Sequence, residues 1–92
     1  MLSDDEKKKL AHRLSRINGQ VEAVRRMIEE DEYCVDILMQ LSAATGALHR
    51  VGEIVLDQHL NRCVREAMES GDDAERQAKL DEVMTIFRKY GK

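Results

Sequence analysis

Residues 10–28 read LAHRLSRINGQVEAVRRMI, and the spacing of their apolar side chains predicts the fold. These side chains recur alternately four and three positions apart, which places them along one face of an α-helix. The stripe consists of Leu10, Leu14, Ile17, Val21, Val24 and Ile28. A narrow stripe of this kind is typical of a helical bundle or a coiled-coil seam, so it predicts an all-α protein.

The sequence around this stripe predicts where the first two helices begin and end. Ser3 and Glu6 form the pattern of a capping box, so we expect helix 1 to run from Asp4 to about Glu30. Asp31 is expected to cap helix 2, because its carboxylate can accept hydrogen bonds from backbone N–H groups at a helix start. Helix 2 then continues to about Glu69.

A third helix is predicted after the clearest break in the pattern. Residues 70–73 read SGDD, and Asp72 together with Glu75 is expected to cap helix 3. No segment has the alternating pattern of a strand, which leaves a three-helix protomer with a long central helix. The predicted buried face of helix 3 consists of Leu80, Val83, Met84 and Phe87.

Helix 2 is long for a chain of 92 residues. About 38 residues at about 1.5 Å each make a rod of roughly 57 Å, whereas a compact domain of this size has a radius of gyration of about 12 Å. We therefore expect the rod to lie against a partner chain, most simply in an antiparallel dimer. The alternative is a break at Gly46 or Gly52, which would allow a four-helix monomer.

Length and composition limit the broad class of protein. A chain of 92 residues has room for one domain, expected to span residues 1–92. It has no apolar run near the roughly 18 residues of a membrane span, and residues 1–6 lack the features of a signal peptide. Two cysteines are too few to indicate a disulfide-stapled secreted fold. We therefore expect a cytoplasmic protein that does not enter the membrane.

Charge is distributed unevenly along the chain. Residues 7–26 contain seven Lys or Arg against one acid, a local net charge of +6, although the whole chain carries −3. A basic segment on an otherwise acidic chain is typical of a surface that meets a polyanion. A polar stripe beside the apolar seam of helix 1 is the candidate DNA surface: Lys9, Arg13, Arg16 and Gln20.

The thiols and one imidazole form a candidate metal site. His59 and Cys63 are four residues apart on helix 2, which places them about 6 Å apart on one face and within reach of one metal ion. Cys34 lies roughly 37 Å away along a continuous helix, so it can join them only from the partner of an antiparallel pair. Two thiolates and an imidazole suit Cu(I), while Zn(II) with an added water is the alternative.

Three blocks of the sequence resemble the copper-sensing CsoR-type repressors of bacteria. They are RLSRINGQV at residues 13–21, YCVDIL at 33–38 and HLNRCV at 59–64. The resemblance implies an antiparallel dimer of helical hairpins that assembles into a dimer of dimers, a homotetramer. It further implies a repressor that binds double-stranded operator DNA without metal and releases it when Cu(I) binds, which derepresses copper efflux or resistance genes.

The resemblance also implies roles for individual residues. The family's copper ligands correspond to Cys34, His59 and Cys63, with Cys34 supplied by the opposite subunit. Tyr33 and Glu82 correspond to the tyrosine and glutamate that support those ligands and carry the signal from them. DNA binding in the family uses a basic surface rather than an inserted recognition helix, and to this surface Arg50 in helix 2 adds a contact.

Other functions are compatible with parts of this pattern. A persulfide or oxidant sensor of the same fold would bridge Cys34 and Cys63 between chains, although such sensors lack the histidine found here at His59. Nickel or cobalt sensors carry more histidine, and formaldehyde sensors usually lack the second cysteine. A copper-binding helical protein that does not bind DNA is the remaining alternative. The sequence contains no catalytic constellation, so we expect no enzyme.

Overall fold

The computed structural model describes residues 2–90, except for the side chains at positions 67, 70 and 90. It contains three helices, α1 (Asp4–Glu29), α2 (Cys34–Ser70) and α3 (Asp73–Tyr90), and residues 2–90 form no strand. The predicted all-α protomer with a long central helix is therefore confirmed. Helix α2 continues through Gly46 and Gly52, so the break that would allow a four-helix monomer is absent.

Helix α1 begins with the predicted capping box. The Ser3 hydroxyl accepts a hydrogen bond from the Glu6 backbone N–H at 3.2 Å, and the Glu6 carboxylate accepts one from the Ser3 N–H at 2.7 Å. These bonds satisfy N–H groups that a helix start otherwise leaves without a partner. The basic segment is therefore held in helical form from its first turn.

The turn between α1 and α2 differs from the prediction. Asp31 has φ +56°, in the left-handed region, and α2 begins only at Cys34, so Asp31 does not cap it. Instead, the Glu32 N–H donates to the Met27 carbonyl at 3.0 Å and the Asp31 N–H to the Ile28 carbonyl at 3.2 Å. This pair of bonds is the Schellman ending of a helix, and Asp31 occupies the position usually held by glycine.

The turn between α2 and α3 follows the prediction. Gly71 has φ +69°, a conformation that glycine adopts without the steric cost of a side chain, and it ends α2. The Asp72 carboxylate then accepts a hydrogen bond from the Ala74 N–H at 3.0 Å, while its carbonyl accepts one from the Arg76 N–H. Asp72 is thus the N-cap of α3.

The described chain divides into two compact units. The first, Leu2–Val51, contains α1 and the first half of α2, and the second begins at Gly52. In the first unit Leu10, Ile17, Val24 and Ala44 are buried. The other three members of the α1 stripe, Leu14, Val21 and Ile28, remain 40%, 54% and 57% exposed. The neighbouring helix covers every second member of the stripe, and the exposed members are available to a further helix.

In the second unit, the prediction of the buried face of α3 is wrong at three of its four positions. Val83 is half-buried, but Leu80, Met84 and Phe87 are about half exposed. Helix α3 instead turns towards α2 a face that includes Lys79, Glu82 and Val83, because polar side chains on α2 form bonds with the first two. The face of α3 that meets α2 therefore combines these polar pairs with the half-buried Val83 and Ile86.

Candidate functional site

Cys63 is the buried thiol of the second unit. Its side chain is 4% exposed, and its Sγ donates a weak hydrogen bond to the Lys79 backbone carbonyl at 3.8 Å. A full turn earlier on α2, His59 is 44% exposed. The helix therefore presents one sheltered sulfur and one accessible imidazole on the same face.

His59 makes the polar contact that links α2 to Glu82 on α3. Its Nε2 lies 3.1 Å from Glu82 Oε1. When Nε2 carries the proton and donates a hydrogen bond to the carboxylate, the lone pair of Nδ1 is left to bind a metal ion. The glutamate that sequence reasoning assigned to this site is therefore adjacent to the histidine. His59 also borders an apolar depression of about 360 Å³, lined further by Gly52, Val55, Leu56 and Ile86.

Lys79 and Glu66 form an ion pair that sequence reasoning did not identify. Lys79 Nζ lies 3.2 Å from Glu66 Oε2. The hydrogen bond and charge of Glu66 raise the pKa of Lys79 above its usual value, and Cys63 and Glu82 add smaller contributions in the same direction. The two residues are separated by the α2–α3 turn, so no helical periodicity in the sequence relates them.

Cys34 and Tyr33 lie in the other unit. Cys34 is the first residue of α2 and its thiol is exposed, while Tyr33 immediately before it is 69% exposed. Within residues 2–90, no three His, Cys, Asp or Glu side chains of one chain lie close enough to hold a metal ion. The structure of one chain therefore brings Glu82 to His59, and it brings no third ligand to His59 and Cys63.

A basic depression occupies the N-terminal half of α1. This shallow, open surface has a volume of about 340 Å³ and is lined by Lys8, Lys9, His12, Arg13 and Arg16. Lys9, Arg13 and Arg16 of the predicted DNA surface are thus together, whereas Gln20 does not line the depression, and Lys9 also pairs with Asp5 at 3.2 Å. Arg50 is exposed on α2 in the same unit but does not line this depression. Lys8 and His12 are additions to the predicted surface.

The positive charge of α1 is concentrated in this half of the helix. Further along, Arg25 donates to the Glu22 carboxylate at 2.7 Å and also pairs with Glu29. The hydrogen bond from Arg25 lowers the pKa of Glu22, so that carboxylate stays ionised. Arg25 is therefore compensated locally, whereas the basic depression groups several cations on one surface.

Known relatives match almost the whole chain. Residues 6–89 match the family described as metal-sensitive transcriptional repressor. The copper-sensing transcriptional repressor CsoR of Bacillus subtilis (strain 168) is 40% identical over 90 residues, covering 98% of this chain and 86% of that protein. The copper-sensing transcriptional repressor RicR of Mycobacterium tuberculosis is 50% identical over 66 residues, covering 72% of this chain and 69% of that protein.

Two solved structures share the fold. The copper-sensing repressor CsoR with Cu(I) from Geobacillus thermodenitrificans NG80-2 is 37% identical with a TM-score of 0.83, covering 100% of this chain and 93% of that one. The nickel-responsive transcriptional regulator InrS is 37% identical with a TM-score of 0.79, covering 95% and 98%. None of the helices in residues 2–90 combines the length and apolar character needed to cross a membrane. By sequence and by structure, the chain belongs to the metal-sensitive transcriptional repressor family.

Proposed function

We propose that this chain is a Cu(I)-responsive transcriptional repressor, which binds operator DNA without copper and releases it when copper binds. The observation that carries the proposal is the pairing of His59 and Cys63 on one face of α2, with Glu82 against the imidazole. The relatives named as copper-sensing repressors support it. The protein would act in the cytoplasm on copper efflux or resistance genes, and we assign it no catalytic role.

The donor atoms favour copper over nickel. The overall fold does not distinguish a copper sensor from a nickel sensor, because one solved structure of each kind is 37% identical to this chain. Two thiolates and one imidazole are soft donors that suit Cu(I), whereas nickel sites are richer in nitrogen and oxygen donors. Cys34, His59 and Cys63 would supply such a set, with His59 bound through Nδ1.

The third ligand would come from a second copy of the chain. Helix α2 leaves apolar side chains exposed at heptad spacing, with Leu38, Leu41, Leu48 and Val55 between 40% and 60% exposed. Antiparallel pairing with Leu48 against the partner's Leu48 brings Leu41 to the partner's Val55. The same register brings Cys34 to the helical turn that carries the partner's Cys63. One interface would therefore bury the apolar stripe and complete two metal sites, and two such dimers would pair into the tetramer.

Tyr33 and Glu82 would transmit the binding of copper to the helices. Glu82 belongs to α3 and contacts His59, so fixing the imidazole on a metal ion also fixes the position of α3. Tyr33 precedes Cys34 at the start of α2 and would move with it. Because copper and DNA prefer different arrangements of the same assembly, each would weaken the other's binding by the same factor.

The DNA surface would be the basic depression of α1, repeated in each subunit. Lys9, Arg13 and Arg16 would contact phosphate groups, and Arg50 would extend the surface onto α2. Repetition in a tetramer multiplies phosphate contacts, so binding should fall steeply as salt increases.

The test is an anaerobic Cu(I) titration of the reduced protein in the presence of a competing chelator, with fluorescence-labelled DNA from upstream of its own gene. We expect one Cu(I) per chain and release of the DNA, both abolished by Cys34→Ala and by His59→Ala. His49→Ala is the matched control, because His49 is an exposed histidine of α2 without a thiol at ligand spacing.

Other outcomes of the titration would identify the alternatives. DNA that is released by persulfide and not by copper would indicate a thiol sensor that bridges Cys34 and Cys63 between chains. Copper binding without any DNA binding would indicate a copper-binding helical protein and would contradict the repressor function.

A further inference from the structure

Helix α3 contacts α2 through polar groups on both sides of Cys63. On one side His59 Nε2 lies 3.1 Å from Glu82 Oε1, and on the other Glu66 Oε2 lies 3.2 Å from Lys79 Nζ. Between them, the Cys63 thiol donates to the Lys79 carbonyl at 3.8 Å. Lys79 therefore contacts α2 at two places. Its backbone carbonyl contacts Cys63, and its side chain contacts Glu66 one turn further along α2.

This arrangement shelters the thiol of Cys63, which would bind the metal ion in the proposed function. Cys63 is 4% exposed, whereas the other cysteine of the chain, Cys34, is exposed. A thiolate can attack an electrophile or bind a soft metal only where its sulfur is reached. The weak S–H···O hydrogen bond is lost when the thiol loses its proton. It therefore cannot by itself hold α3 over Cys63 while the sulfur reacts or binds a metal ion.

We propose that the Glu66–Lys79 ion pair is a latch that holds α3 over Cys63 and controls how readily its sulfur is reached. Lys79 is in this sense a positioning residue, which acts on the thiol through the placement of α3. The importance of the latch for copper sensing rests on the proposed function. The latch itself concerns only the accessibility of a thiol in the metal-free protein.

The strength of the latch sets the size of the expected effect. The Lys79 side chain is 32% exposed and that of Glu66 is 60% exposed, so solvent screens their attraction. Partly exposed pairs of this kind change a local opening equilibrium by about two- to fivefold. Loss of the latch should therefore raise the reactivity of Cys63 measurably without exposing it fully.

The test measures alkylation of the reduced, metal-free protein by N-ethylmaleimide, with the rate at each cysteine followed by peptide mass spectrometry. The exposed Cys34 serves as the reference within the same chain. We expect Lys79→Met and Glu66→Ala each to raise the ratio of the Cys63 rate to the Cys34 rate by about two- to fivefold. Lys79→Arg should keep the original ratio, because it keeps the pair, and Lys89→Met is the matched control on the last turn of α3.

A double-mutant cycle separates the latch from a direct effect of the lysine charge on the thiol. If the two residues act as a pair, Lys79→Met with Glu66→Ala should give the same ratio as either single variant. Unchanged ratios in both single variants, or effects that multiply in the double variant, would overturn the proposal. Far-ultraviolet circular dichroism checks that each variant stays folded. Because neither copper nor DNA is present, failure of the latch and failure of the repressor function are distinguishable.

Discussion

At the scale of single residues, the contact between His59 and Glu82 has the clearest chemical consequence. The carboxylate lies 3.1 Å from Nε2, and by accepting a hydrogen bond from Nε2–H it selects the tautomer whose Nδ1 lone pair is available. A carboxylate in this position also makes the imidazole a stronger electron donor. In the proposed function, Glu82 would thus prepare His59 as a ligand while lying on a different helix.

Replacement of Glu82 tests this role. We expect Glu82→Ala to lower the affinity for Cu(I) by about 10- to 100-fold, the usual cost of removing a group that orients a histidine ligand. Glu82→Gln should have a smaller effect, because its amide oxygen can still accept the hydrogen bond. Affinity is measured by competition with a chromophoric Cu(I) chelator. Glu75→Ala, which removes an acid from the first turn of the same helix, is the control. Equal affinities for Glu82→Ala and this control would contradict the role.

At the scale of helices, the arginines of α1 differ in their local ion pairs. Lys9, Arg13 and Arg16 line the basic depression, whereas Arg25 is paired with Glu22 and Glu29. Both halves of the helix contain arginine, so composition alone does not distinguish them. The two ion pairs of Arg25 make it less available to phosphate groups than Arg13 and Arg16, because a paired guanidinium must give up its partners before it binds another anion.

The salt dependence of DNA binding measures this difference. Arg16→Ala is expected to reduce the slope of log affinity against log salt concentration by about 0.9 for each phosphate group that the assembly no longer neutralises. Arg25→Ala should leave the slope unchanged, because its charge is already compensated by Glu22 and Glu29. Fluorescence anisotropy with the upstream DNA of the gene, at several salt concentrations, gives both slopes. A larger change for Arg25→Ala than for Arg16→Ala would exclude the basic depression as the DNA surface.

At the scale of the whole molecule, the exposed apolar surface of one chain points to assembly. Leu14, Val21 and Ile28 on α1 and Leu38, Leu41 and Leu48 on α2 remain exposed in the first unit. Apolar side chains at heptad spacing are stabilised when a further helix covers them. The same pairing would supply the missing ligand, so assembly and metal binding would depend on one interface.

Mixed dimers test whether the site is shared between chains. We expect neither Cys34→Ala nor Cys63→Ala homodimers to bind Cu(I) tightly. A purified heterodimer of the two variants should recover about one tight site, since one of the two sites at its interface holds all three ligands. Differently tagged chains, co-expressed and purified by both tags, provide this species for the chelator competition. A heterodimer of Cys34→Ala with Cys34→Ala/Cys63→Ala is the control. If this control also bound Cu(I) tightly, the ligands would not be shared as proposed.

The sequence by itself determined the helices and most of their ends, since these depend on interactions between residues close in the chain. The apolar spacing from Leu10 to Ile28 indicated α1, and the caps at Ser3 and Asp72 formed as predicted. It also indicated the candidate ligands and the basic surface by their spacing on a helix. Their roles stay predictions, as do the single domain and the dimer.

Only the tertiary structure decided which faces meet. The stripe of α1 is half covered, and Leu80, Met84 and Phe87 lie outside the face that α3 turns to α2. The pairing of Glu66 with Lys79 connects residues on either side of a turn, and no periodicity encodes such a contact. The rotation of a helix about its axis depends on every side chain it touches. It therefore becomes defined only when the helices pack.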